Sequence, residues 1–273
     1  GIVEWAQSIG GSGNDYINSV VGTSDGGYLV GGSFSSESVD LGNEKILTNS
    51  KNYSSEGMTI KYGEDGIVEW AQTVGRPGFD SINSIIETSD GGYLVGGHIA
   101  ETDFVSAKDG IIIKYNNNGI VQWEEIIKGS REDGIESIAE ARDGGYIVGG
   151  YFGSSSITVG NDVNGNSVEL TSAGSYDGMI IKYDENNNVE WAQSIGGSDS
   201  DYINSVSVTS DGGYIVGGYF QSSSMTVGNY MLQNAGSSDG MIIKVEKTEL
   251  NNPITLQAQS IGGSSSDQIT SVA

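Results

Sequence analysis

Four times the chain repeats a tight turn followed by an apolar run. Thr209-Ser210-Asp211-Gly212-Gly213-Tyr214-Ile215-Val216-Gly217-Gly218 recurs from Thr23 to Gly32 and from Thr88 to Gly97 with Leu for Ile. A looser copy runs from Ala141 to Gly150, with Arg142 in place of Ser. Ser-Asp-Gly-Gly is a turn whose glycines reach positive φ at little steric cost, and the run behind it reads as the second arm of a hairpin. The turn aspartates Asp25, Asp90, Asp143 and Asp211 are 65, 53 and 68 residues apart, and Trp5, Trp70, Trp123 and Trp191 give the same three spacings. One repeating frame, with insertions at one place, explains both series. A period of this size in a strand-only pattern predicts propeller blades.

Each repeat resolves into four short strands, here called A to D from the axis outward. A begins at Tyr16, with copies at Ile82, Ile135, Ile203 and Ile269. B is the Gly-Tyr-Leu/Ile-Val-Gly-Gly run, C is Gly-Met-Thr-Ile-Lys-Tyr from Gly57 and its copies, and D carries the tryptophan. A and B lack clean alternation, which predicts cover on both faces, whereas D alternates and should have one wet face. The fold class expected is all-β, a β-propeller of four-stranded antiparallel blades over residues 12–76, 77–129, 130–197 and 198–263. Residues 1–11 then read as the outer strand, and 264–273 as the inner strand, of a flanking or closing blade. The frame fits an excised piece of a longer array better than a small ring closed by strand exchange. The unpaired terminal strands also offer a route to self-association.

The phrases Trp-Ala-Gln-Ser-Ile-Gly-Gly-Ser, Thr-Ser-Asp-Gly-Gly-Tyr-Ile-Val-Gly-Gly and Asp-Gly-Met-Ile-Ile-Lys-Tyr-Asp resemble the β-propeller repeats of secreted and surface bacterial and archaeal proteins. The resemblance covers the whole chain. It implies an extracellular propeller, often within a long multidomain surface protein, and brings no catalytic residues with it. The longest insertion, between Phe152 and Asp177, exceeds those of the plainest members.

Charge narrows the partners. The chain has 36 acidic and 12 basic residues, a net charge of −24, which disfavours nucleic acid and an anionic membrane surface. No apolar run approaches the roughly 20 residues that span a bilayer. Without cysteine there are no disulfides or thiolate metal sites.

The D–A and B–C connections should emerge at one end of the blades, and the stereotyped A–B and C–D turns at the other. Variable loops on a rigid frame are where binding usually sits, and the B–C loops differ most in length. Three contain Ser-Val-Asp-Leu-Gly-Asn from Ser38, Ser-Ile-Thr-Val-Gly-Asn from Ser156 and Ser-Met-Thr-Val-Gly-Asn from Ser224. Their alternation predicts a further small hairpin, read mainly as padding over the blade.

Asp15, Asp80, Asp133, Asp201 and Asp267 stand before the A strands, either as a carboxylate ring at a channel mouth or as caps of the D–A turn. Repetition in every blade favours the caps, since a site usually breaks symmetry. Asp109, Asp177 and Asp239, with Glu56 at the matching place, read the same way. Tyr53, Tyr176 and Tyr230 in the long loops are the candidate ligand contacts. Calcium is the one cofactor suggested, through Asp184–Glu190 or Asn161–Asn166, although neither phrase has full calcium-loop spacing. Lys61, Lys114, Lys182 and Lys244 read as solvated or paired along blade surfaces. His98, the single histidine, reads as a surface substitution. The function expected is a non-enzymatic extracellular or cell-surface scaffold or adhesion module with a protein or glycan partner. The alternative is a specific lectin-like or calcium-binding propeller, with a glycan-active enzyme third.

Overall fold

The structure, a computed structural model, describes residues 1–49, 54–101, 108–247 and 253–273. It is all-β: among the described residues there is no helix. The first four-stranded sheet contains β1 (Asp15–Gly22), β2 (Tyr28–Phe34), β5 (Glu56–Tyr62) and β6 (Val68–Val74). The second contains β7 (Ser81–Glu87), β8 (Tyr93–Ala100), β9 (Lys108–Tyr115) and β10 (Val121–Ile127). The third contains β11 (Asp133–Glu140), β12 (Tyr146–Phe152), β15 (Asp177–Tyr183) and β16 (Val189–Ile195). The fourth contains β17 (Asp201–Val208), β18 (Tyr214–Phe220), β21 (Asp239–Lys247) and β22 (Pro253–Ile261). Every sheet runs in the order A-B-C-D, the blade of a β-propeller.

Three two-stranded hairpins stand apart from the blades: β3 (Ser38–Asp40) with β4 (Ile46–Thr48), β13 (Ser156–Asn161) with β14 (Ser167–Thr171), and β19 (Ser224–Val227) with β20 (Tyr230–Gln233). They are the repeated B–C phrases. Alternation aims their apolar residues at the blade: Val39, Leu41 and Leu47 are buried, as are Ile157, Val159 and Leu170, and Met225, Val227 and Leu232. In the first blade this trio joins one core cluster with Phe34, Met58, Ile60, Tyr62 and Val68. The padding is thus part of the hydrophobic core.

The chain divides into two compact units, Gly1–Glu125 and Ile126–Ala273. Within each, successive blades interlock in the same way. Gly31 of β2 leaves space that Ile82 and Ile85 of β7 fill, since a Cβ there would meet their methyl carbons at 2.8 and 2.7 Å. In the second unit Gly149 does this for Ile203 and Val206. The B-strand glycines are therefore sockets for the next A strand, which is why B tolerates no bulk at this position.

Two expectations about texture need correction. The most buried strands are B and C: every residue of β5 and β15 is buried, whereas β1, β7, β11 and β17 are partly exposed. A lies at one edge of its sheet, so only B covers it within the blade. The tryptophans look forward as well as inward. Trp70 packs 5.7 Å from both Tyr93 and Tyr115 of the following blade and donates from Nε1 to the Asn117 carbonyl at 3.2 Å. Residues 1–11 and 264–273, expected as strands, form none. Trp5 nevertheless packs against Tyr28 and Tyr62 of the first blade, at 5.6 and 6.1 Å.

Candidate functional site

The acidic and basic residues of the repeat are largely consumed by the frame. In the A–B turn Asp25 accepts from Thr23 Oγ1 at 2.6 Å and from Gly27 N at 2.9 Å. Lys61 of strand C lies 2.9 Å from the same carboxylate with its side chain fully buried. Lys114 with Asp90 (2.7 Å), Lys182 with Asp143 (3.0 Å) and Lys244 with Asp211 repeat the pairing. The lysines are thus paired, and three of them are buried rather than solvated. These bonds hold Asp25 and Asp90 down at about 2; for Asp25 the Thr23 bond leads, and for Asp90 burial is the largest single effect and opposes the shift, but the bonds from Lys114, Thr88 and Gly92 together outweigh it.

The five candidate carboxylates before the A strands are each hydrogen-bonded to the backbone of an adjoining turn or loop. Asp80 accepts from Arg76 N at 2.8 Å and Ala100 N at 2.7 Å. Asp201 accepts from Gly197 N at 2.7 Å and Ser222 Oγ at 2.8 Å. Asp15 takes Gly11 N at 2.8 Å and Ser36 Oγ at 2.6 Å, Asp133 takes Gly153 N at 3.1 Å, and Asp267 takes Gly263 N at 2.9 Å. In blades one to four the carboxylate ties the D–A turn to the start of the B–C loop, so these connections do share one end of the blade. Asp80, Asp133 and Asp201 are fully buried.

The calcium candidates are also occupied by their own turns. Asp184 accepts from Asn186 N and Asn188 N at 2.9 and 2.8 Å, and Asp162 from Asn164 N and Asn166 N at 2.8 and 2.9 Å. Among the described residues no three Asp, Glu or His side chains gather as a cation would require. His98 is half-buried, not on the surface; burial leads, with Lys108 adding to it, in lowering its pKa to about 3.

One place at the loop end departs from this symmetry. In the second unit a cavity of about 570 Å³ is lined by Glu132, Glu136, Tyr151, Tyr176, Tyr202 and Tyr219, together with Asn204, Gln268 and Thr270. Tyr202 stacks on Tyr219 (centroids 5.0 Å, 19°) and on Tyr176 (5.7 Å, 23°), with Tyr151 edge-on at 5.2 Å. Two glycines make this possible. A Cβ on Gly134 would meet the Tyr151 ring at 3.0 Å, and one on Gly153 would meet Tyr176 at 2.6 Å. The other A strands carry Tyr16, Ser81 and Tyr202 where β11 has Gly134.

A β-bulge aims the polar groups. The A–B register slips in every blade between Ile17 and Ser19, Ile82 and Ser84, Ile135 and Ser137, and Ile203 and Ser205. The residue in the slip is Asn18, Asn83, Glu136 or Asn204. Bulges re-aim side chains. Asn18 donates to the Ile82 carbonyl at 2.9 Å and Asn204 to that of Ile269 at 2.8 Å, linking adjacent segments. A carboxylate cannot donate in this way, and Glu136 lines the cavity. Burial raises the pKa of all four tyrosines, that of Tyr202 to about 12, with negative neighbours adding to it.

Of the three tyrosines singled out in the sequence, Tyr176 belongs to this cavity. Tyr230 is 37% exposed on the β19–β20 hairpin and lies outside it, and Tyr53 falls outside the described residues. Tyr151, Tyr202, Tyr219 and Glu136 were missed. Their signal was positional: Tyr151 and Tyr219 stand where the other two blades carry Ser33 and His98, Glu136 where the others carry Asn, and Tyr202 where only the first blade also has Tyr. A separate apolar groove of about 470 Å³ in the first unit, between residues 2–9 and the first blade, includes Ile17 and Val20. These correspond to the Ile82–Ile85 pair that fills the socket at Gly31.

Four repeated blades with their charges locked into turns define a repeat β-propeller-like scaffold. The chain is 26% identical over 262 residues to an uncharacterized WD repeat-containing protein of Acanthamoeba polyphaga mimivirus. That match takes in 80% of this chain and 18% of the viral protein, so the chain spans less than a fifth of that relative. A solved protein of unknown function from Bacteroides caccae aligns with a TM-score of 0.42 and 12% identity, over 89% of this chain and 60% of the other. No protein-family profile matches the chain.

Proposed function

We propose that this chain is a non-enzymatic scaffold module of an extracellular or cell-surface protein and meets its partner through the loop end of its blades. The observation that carries the reading is the gathering of Tyr151, Tyr176, Tyr202 and Tyr219 with Glu132 and Glu136 on one cavity, at that end of the second unit. A feature required by the fold recurs in each blade; this one does not. The acidic surface and the resemblance of the repeats to secreted and surface propellers support the location, with an extracellular protein or glycan as partner.

The test is a binding screen of the immobilised chain against extracellular proteins and glycans, run beside Tyr202→Ala and the opposite-end variant Glu64→Gln. We expect binding that Tyr202→Ala abolishes and Glu64→Gln leaves intact. Equal loss in both variants, or in neither, removes the loop end from the account. Release of hydrolysis products from a bound glycan would establish the enzymatic reading instead.

A further inference from the structure

We infer that the cavity formed by Tyr151, Tyr176, Tyr202, Tyr219, Glu132 and Glu136 is a binding site for an uncharged polyhydroxylated ring, a neutral sugar unit of a glycan. This inference deepens the proposed loop-end function and rests on it.

Size, chemistry and stiffness each contribute. About 570 Å³ lies inside the range of roughly 300–1,000 Å³ in which small-ligand sites fall. The lining is predominantly polar despite four aromatic residues. Two of the rings stack on Tyr202, so ring faces are spent on one another within the row. Phenol and threonine hydroxyls donate and accept, the amides of Asn204 and Gln268 do both, and Glu132 and Glu136 accept when ionised. A sugar ring is the ligand class that answers this mixture, because each of its hydroxyls also donates and accepts.

Charge sets the subclass. Two carboxylates and no lysine or arginine line the cavity, so a uronate, sulfate or phosphate would be brought against like charge, with only Arg131, which acts on Tyr176 from outside the lining, to offset it. An organic cation would suit the carboxylates. Its usual recognition, however, needs open ring faces, and the faces that Tyr176, Tyr202 and Tyr219 turn to one another are taken up by stacking. The tyrosine row is also ordered before any ligand arrives, which reduces the entropy lost on binding.

A glycan array carrying neutral, amino and acidic oligosaccharides, followed by isothermal titration of the strongest neutral binder, tests this. Tyr202→Phe keeps the ring stack and removes one hydroxyl, and Glu136→Gln removes a charge; both are checked for unchanged melting temperature. Each is expected to weaken binding about fivefold or more, while Glu64→Gln binds as wild type. The inference is overturned if no neutral glycan binds, if acidic glycans bind more tightly, if both variants bind normally, or if tetramethylammonium displaces the sugar. Should the glycans fail while Tyr202→Ala still abolishes capture of an extracellular protein, only the sugar assignment falls. Capture indifferent to Tyr202→Ala removes the wider loop-end reading as well.

Discussion

The Lys182 ammonium lies 3.0 Å from the Asp143 carboxylate, with the lysine side chain fully buried and the aspartate side chain 44% exposed. Glu190 stands 3.1 Å from the same nitrogen, and Lys182 also donates to the Tyr183 carbonyl at 2.7 Å. One cation from strand C thus anchors the A–B turn and the D strand of its own blade. Removing Asp143 takes one partner from a buried charge, and removing the charge leaves the Glu190 carboxylate, only 13% exposed, without its cation. We expect Asp143→Ala to cost about 1–3 kcal/mol and Lys182→Met to cost at least as much, as read from urea unfolding midpoints.

The turn glycines should differ in what they tolerate. Gly144 has φ of +85° but nothing closer than 3.6 Å to an added Cβ; Gly145 would place a Cβ 2.2 Å from the Tyr183 carbonyl and 2.6 Å from Lys182 Nζ. Gly144→Ala should cost about 1 kcal/mol of backbone strain, and Gly145→Ala distinctly more. Equal melting temperatures for the two variants would contradict the close approach.

Blade interlock predicts a rescue. Gly149→Ala puts a methyl 2.6 Å from Val206 and 2.8 Å from Ile203, an overpacking of about 1–3 kcal/mol. Adding Val206→Ala should recover part of that loss in a double-mutant cycle. Additive losses would mean that the two residues do not share the socket.

The hairpins should behave as core. Ile157 is 3% exposed on β13, and Ile157→Ala is expected to cost about 2–4 kcal/mol while leaving loop-end binding unchanged. Val121 of the second blade, 50% exposed where its counterpart Val68 is 3% exposed, should accept Thr within about 0.5 kcal/mol. Calorimetric melting of both variants checks the contrast.

Acid sensitivity should come in two ranges. His98 has a folded pKa of about 3, below its ordinary 6.5, so between these values the unfolded chain binds the proton that the folded chain refuses. Stability should therefore fall as pH drops from about 6.5 toward 3, and His98→Gln should flatten that slope. Asp25 and Asp90, held at about 2 against an ordinary 3.8, contribute stability above 3.8 that is lost as pH falls toward 2. Unfolding midpoints in denaturant at half-unit pH steps separate the two. An unchanged slope in His98→Gln would contradict the burial of that ring.

Most of the frame was legible because it repeats. The spacing of Asp25, Asp90 and Asp143 located the blades, and alternation in Ser-Ile-Thr-Val-Gly-Asn announced the hairpin. The site was less legible for the same reason. Repetition drew attention to Asp15, Asp80, Asp133, Asp201 and Asp267, residues that the turns hold, while Tyr151, Tyr202 and Glu136 looked like scatter among variants. Tyr176 was noticed as a loop aromatic, without its partners.

By itself the sequence determined strand order, turn chemistry and blade count, since these depend on neighbours within one repeat and on the period of the apolar residues. Tertiary structure alone decided that Lys61 and Lys182 are buried, that Gly31 and Gly149 are sockets, and that tyrosines from three strands and a loop share one cavity. Each of these depends on distances between residues 17 to 68 positions apart, for which a local pattern carries no sign. Gly134 illustrates the difference. As a letter it is one glycine among 43, and only the fold reveals that its missing side chain makes room for the ring of Tyr151.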